Sequence, residues 1–274
     1  MKKRKATNWL VTLFVIIAAL LGVNRQSVKN YIDQELGQNL SEQIKTTNKN
    51  NGIQNVKDDN LRNLTFKSGG TAYLKVNGNK STLSTAAWKI NKISYGSLDN
   101  LNRTTMVTGY LERRNLVRSS TRTSQDWRPT GWHQKAVSIN GRRIEILNRG
   151  HLLAYSITGK FNKDGQYNVN ELGSLDNPKN LATQTEFSNQ RTMQIFEGKV
   201  RNALEANKKV IYQVSTVFKN KDLMPIGYHL QALSTDKSLD FNVFVWNVEP
   251  GIKFDYATGR SRIDRSMKVS DSTE

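Results

Sequence analysis

The chain has 274 residues, no cysteine, and 41 lysines and arginines against 23 acids, a net charge of +18. That length accommodates one large domain with a full core plus accessory segments, and the missing cysteines exclude disulfide staples, thiolate metal sites and thiol nucleophiles. The charge favours a polyanionic partner, with nucleic acid and an anionic cell wall both open on charge alone.

Lys2, Lys3, Arg4 and Lys5 precede an uncharged, almost wholly apolar run over residues 9–23. A basic cluster followed by such a run is a signal-type pattern. The run is shorter than the ~20 residues of a comfortable membrane span. Leu20-Leu21-Gly22-Val23 offers no small-x-small cleavage site, however, which favours an anchor over a removed leader. Residues 1–24 are therefore read as an anchor segment that leaves the rest of the chain outside the cell membrane, either held there or secreted. Without those four basic residues the remainder still carries 37 bases against 23 acids, or +14.

Residues 25–63 are rich in Asn, Gln and Lys. Val28, Ile32, Leu36, Leu40 and Ile44, spaced by four, predict a short amphipathic helix, and residues 46–52 a flexible linker, so the segment is read as a polar stalk. The folded domain is placed at 64–274. Residues 71–76 and 81–83 flank Asn77-Gly78, a pair suited to a tight turn, which predicts a hairpin. Strands are also expected at 210–218, 240–246 and 252–256, the last following the Pro250-Gly251 turn. Phe187, Met193, Phe196, Val200 and Leu204 lie on roughly one stripe and predict a long helix over 186–207. Strands at both ends with a helix between them predict an α+β domain with an antiparallel sheet core.

Hydrolysis of a phosphodiester needs a base for the attacking water, positive charge on the developing phosphorane and support for the departing oxygen. His151, in Asn148-Arg149-Gly150-His151, can be that base, since a neutral imidazole exchanges protons near neutral pH. Arg142, Arg143 and Arg149, close in sequence, are expected to disfavour its charged form and to bind substrate phosphate. Gly150 is expected to let the backbone run close to the site. On an ideal helix Asn189, Glu197 and Arg201 fall within a ~120° sector, so they can share one site. Asn189 offers a carbonyl oxygen to a hard cation that keeps most of its water. Glu197, about 12 Å up the helix axis, is expected to hold metal-bound waters and to orient Arg201.

Asn148-Arg149-Gly150-His151, Asn177-Pro178-Lys179-Asn180, Asn189-Gln190 and Phe196-Glu197-Gly198-Lys199-Val200-Arg201 together resemble the DNA/RNA non-specific endonuclease family, whose active site is a ββα-metal (His-Me) finger. Trp127, Pro129, Gly131-Trp132-His133-Gln134, Phe241-Asn242-Val243 and Asp255-Tyr256-Ala257-Thr258-Gly259 extend the similarity to its membrane-associated DNA-uptake and secreted streptodornase-type members. The resemblance spans about residues 64–260. It implies His151 as general base, Asn189 as direct magnesium ligand with manganese as a substitute, and Glu197 as the ligand acting through water. It also implies Arg149 and Arg201 on the phosphate and Asn180 as support beside the metal. The expected reaction is sequence-non-specific cleavage of DNA, with RNA as a further substrate, to 5′-phosphate products. One departure is Asn148, where many members carry Asp, so the role of that carboxylate is open.

His133 and His229 read as packed or hydrogen-bonded side chains, His229 in a loop. Three histidines without metal-ligand spacing argue against a zinc enzyme. Neither a phosphate-binding glycine loop nor Gly-x-Ser-x-Gly is present. A catalytically weak polyanion-binding protein on the same fold is the alternative reading.

Overall fold

The β-branched and aromatic runs late in the chain become the centre of a sheet, where flat, branched side chains pack best. The computed structural model describes residues 54–118, 125–139, 141–173 and 175–270. Its strands are β1 (Asn55–Val56), β2 (Tyr73–Val76), β3 (Lys92–Tyr95), β4 (Met106–Leu111), β5 (Ala136–Ile139), β6 (Arg142–Glu145), β7 (Leu147–His151) and β8 (Leu181–Thr185). After α1 (Gln194–Glu205) come β9 (Val210–Val217), β10 (Gly227–Ser234), β11 (Asp240–Trp246), β12 (Ile252–Asp255) and β13 (Arg260–Ile263). Seven strands form one sheet in the order β1-β2-β11-β10-β9-β4-β3. Its pairs are antiparallel except β1 with β2. The fold is α+β, as expected.

One sheet face supports the site. Tyr212, Val214, Leu230, Val243 and Val245 are buried there against Met193, Phe196, Val200 and Leu204 of the helical segment. Phe196 packs edge-on to Tyr73 at 5.0 Å and lies 5.3 Å from Phe241. This apolar layer also takes in Leu152, Leu153 and Ile157, which follow His151 in the chain. The finger and the helix thus share one rigid floor.

Four features differ from the sequence-based expectations. The folded unit begins upstream of Leu64, because β1 joins the sheet and Leu61 is buried with Leu74, Phe244 and Trp246. Asn77 and Gly78 do adopt positive φ, 48° and 68°, but no hairpin forms. After Val76 the chain leaves the sheet, and Ser81 and Thr82 are fastened by their N–H groups to Asp240 Oδ1 and Gln231 Oε1. His229 lies in the central strand β10, not in a loop. Its Nε2 is 2.6 Å from Asn242 Oδ1, a buried polar pair. The helix over 186–207 is two segments: a π-helical turn at Ser188–Met193 and then α1.

Among the described residues no helix is long and apolar enough to cross a membrane. The apolar run at 9–23 and the amphipathic spacing at 28–44 lie outside the described residues.

Candidate active site

Strands β7 and β8 pair antiparallel, with His151 opposite Leu181 and Leu147 opposite Thr185. The chain between them returns through a 3-10 turn at Pro178–Asn180, capped by Asn177 Oδ1, which accepts from Lys179 N. Asn180 is completely buried. Its side-chain amide clasps one residue from both sides: Oδ1 accepts from Leu153 N at 3.0 Å and Nδ2 donates to Leu153 O at 3.1 Å. The backbone two residues beyond His151 is thereby pinned.

His151 Nε2 lies 2.8 Å from the carbonyl oxygen of Leu175. A carbonyl only accepts, so this contact calls for the proton on Nε2. Gln125 Nε2 donates to the same carbonyl at 2.9 Å, and its 3.4 Å approach to His151 Nε2 is the meeting of two donors on one oxygen. Arg149 donates from Nε to Trp127 O at 2.7 Å, and its guanidinium stands 4.9 Å from the centre of the Trp132 ring. Trp127 is itself held by Asp176, whose carboxylate accepts from Asp126 N and Trp127 N, and its side chain is substantially exposed.

Asn189 sits in the π-helical turn, whose extra residue per turn shifts it round the axis relative to Glu197. Asn189 Nδ2 donates to Asn148 Oδ1 at 2.8 Å, and Gln190 Nε2 donates to the same oxygen at 2.9 Å. The Asn189 amide nitrogen is thus committed to β7. Glu197 is 8% exposed. Burial pushes the Tyr212 hydroxyl well above its ordinary range, and the nearby Glu197 charge adds to this.

Asn148, Arg149, His151, Asn189, Gln190 and Glu197 line one cleft of about 420 Å³. The donor set on its helical wall is an amide oxygen and a carboxylate, the hard oxygen ligands that magnesium and calcium take. A carboxylate this buried gains from a cation in the same cleft. The residues present therefore fit a hard divalent ion. Among the described residues no group of three His, Cys, Asp or Glu is clustered.

Arg201, one turn beyond Glu197, donates from Nη2 to Ser156 Oγ at 2.8 Å, next to the cleft-lining Tyr155, whereas the two hairpin arginines lie elsewhere. Arg142 pairs with Glu186 at 2.7 Å and lines a separate hollow with Glu249. Arg143 faces Glu145 at 3.8 Å on an exposed hairpin. Neither arginine lines the His151 cleft. Gly150 is needed for a different reason from the one its position suggests: a Cβ there would stand 2.1 Å from Gln184 Oε1. Sequence reasoning also missed Leu175 O and Trp127 O as anchors of the histidine and arginine. Backbone carbonyls leave no residue-type signal.

A family model for DNA/RNA non-specific endonuclease matches residues 81–236, more than half of the chain. The chain belongs to this family. It is a nuclease, and its reaction is hydrolysis of nucleic-acid phosphodiesters. Among solved structures it is similar to NucA from Streptococcus agalactiae with magnesium ion bound, at 29% identity over 75% of this chain and 94% of that one, with a TM-score of 0.63. The same NucA with no metal bound gives 29% identity, 74% and 92% coverage and a TM-score of 0.62. Sda1 nuclease with bound zinc ion is 19% identical over 69% and 95%, with a TM-score of 0.53, a likeness of fold.

Proposed function

We propose that this nuclease is an exported, magnesium-dependent endonuclease that cuts DNA, and RNA as a second substrate, without sequence preference, leaving 5′-phosphates. The observation that carries this reading is that one cleft is lined by the His151 imidazole, the Arg149 guanidinium, the Asn189 amide and the Glu197 carboxylate.

In this reading His151 Nδ1 takes a proton from water as the water oxygen attacks phosphorus, while Nε2 stays bound to Leu175 O and fixes the ring. The bond from phosphorus to the 3′ oxygen breaks, so the phosphate stays on the 5′ side. Arg149 Nη groups bind non-bridging oxygens, and the exposed Trp127 ring beside Arg149 offers a stacking surface for a base. Asn189 Oδ1 would hold the ion directly and Glu197 would hold its water ligands. A divalent ion, when bound, supplies positive charge to the phosphorane and to the leaving oxygen. Asn180 supports the site by pinning Leu153, and Arg201 acts through the wall at Ser156. Arg142 and Arg143, each facing a glutamate, add to a general basic field rather than to the cleft. The net charge of +18 supplies sequence-independent affinity through counterion release. The basic cluster and apolar run of residues 1–24 support export with a membrane anchor.

Nicking of supercoiled plasmid with magnesium and with EDTA, followed by end-group analysis, tests this. The expected result is EDTA-sensitive nicking with 5′-phosphate and 3′-hydroxyl ends. Cleavage in EDTA, or 3′-phosphate ends, overturns it.

A further inference from the structure

Gln184 stands opposite Asn148 in the β7–β8 register and is completely buried. Its Nε2 lies 3.1 Å from Ser188 Oγ and 3.2 Å from Met193 Sδ. Those are the first and last residues of the π-helical turn that carries Asn189. One side-chain amide therefore spans that turn from below. The turn is gripped at its start a second time, since Ser188 N donates to Thr185 Oγ1 at 3.1 Å. A π-helical turn is rarer than an α-helical one and is found mostly at functional sites.

Two further observations set Gln184 apart from a packing residue. Its Oε1 is buried with no hydrogen-bond partner among the described residues. A side chain selected only to fill this space would be Leu or Met, which carry no such cost. The strand beside it is also shaped around it, since a Cβ at Gly150 would lie 2.1 Å from Gln184 Oε1 and 2.6 Å from its Cβ. Gly150 has no positive φ, so its backbone would tolerate alanine. The space under it is what forbids a side chain.

We propose that Gln184 is a positioning residue for the metal site: by holding Ser188 and Met193 it fixes the π-helical turn and so the place where Asn189 presents its carbonyl oxygen relative to His151. The glycine of the Asn-Arg-Gly-His segment is there to admit it. This rests on the reading of Asn189 as the direct metal ligand.

The test measures Mn²⁺ affinity, from the free-ion electron paramagnetic resonance signal, in wild type, Gln184→Met, Gly150→Ala, Gly150→Ala/Gln184→Ala and Asn189→Ala. Thermal unfolding and the magnesium concentration for half-maximal nicking are read alongside. Gln184→Met keeps the apolar volume and loses the amide. It is expected to fold, to bind Mn²⁺ about tenfold more weakly and to need correspondingly more magnesium. Gly150→Ala is expected to lose affinity, and the double variant to recover part of it. Wild-type affinity in Gln184→Met with a loss in Asn189→Ala overturns the positioning role alone. Wild-type affinity in both overturns the ligand reading beneath it. If Gln184→Met does not fold, Gly150→Ala decides: unchanged Mn²⁺ affinity overturns the proposal and a loss supports it.

Discussion

Asn148 and Asn189 are joined by a 2.8 Å hydrogen bond in which the Asn189 amide nitrogen donates and Asn148 Oδ1 accepts. That bond ties the strand bearing His151 to the turn bearing the proposed metal ligand, three residues from the imidazole along β7. The contact requires an acceptor at position 148, which the neutral amide supplies as well as a carboxylate would. Asn148→Asp preserves the acceptor and brings negative charge toward the ion, so it is expected to retain activity within a few-fold and to lower the magnesium needed for half-maximal nicking. Asn148→Ala frees the Asn189 amide to rotate and is expected to cost about 10–100-fold in kcat, the scale for residues that orient metal ligands. Steady-state nicking rates across a magnesium titration check both.

Asn180 pins Leu153 with two backbone hydrogen bonds in a fully buried setting. Asn180→Ala leaves a buried N–H and C=O unsatisfied, at a cost of about 2–4 kcal/mol. Chemical denaturation is expected to register that loss, and kcat is expected to fall further than stability alone explains because the backbone after His151 shifts. Wild-type stability would contradict the clasp.

Glu249 lies under the start of the helical segment, where its carboxylate accepts from Phe187 N at 2.7 Å. Burial pushes its pKa up from about 4.5 to about 7, against the lowering effect of that hydrogen bond and with repulsion from Glu186. The folded protein thus holds this proton more tightly than the unfolded chain. The resulting stability is complete below about pH 4.5 and is lost as pH rises through about 7. Glu249→Gln is expected to flatten the fall in Tm between pH 5 and pH 9, and to gain roughly 1–3 kcal/mol over wild type at the alkaline end. Parallel curves for the two proteins would contradict this.

The strands over Val210–Val217 and Asp240–Trp246 and the stripe of Met193, Phe196, Val200 and Leu204 were legible because apolar periodicity and burial coincide there. Strand β10 was not. It is buried on both faces, and His229 and Gln231 interrupt its apolar run, their partners Asn242, Ser81 and Thr82 coming from distant segments. The π-helical turn was equally hidden. Its residues keep a helical stripe, so periodicity alone does not separate a π-helical turn from an α-helical one, although Asn189 and Glu197 still reach one cleft. His151, Arg149, Asn189 and Glu197 could be picked out by chemistry and were brought to one cleft. Arg142 and Arg143 could not be sorted from them, because charge near a histidine in sequence does not say which carboxylate each arginine meets in space.

The central claim is that the His151 imidazole is the base, and chemical rescue tests it most directly. Removing a general base costs about 10²–10⁴-fold. His151→Gly, with magnesium and supercoiled plasmid, is predicted to lose activity on that scale and to regain part of it when free imidazole is added, in proportion to the unprotonated imidazole present. Cleavage by His151→Gly at the wild-type rate, or a folded, metal-binding variant that imidazole does not rescue at all, would contradict the account.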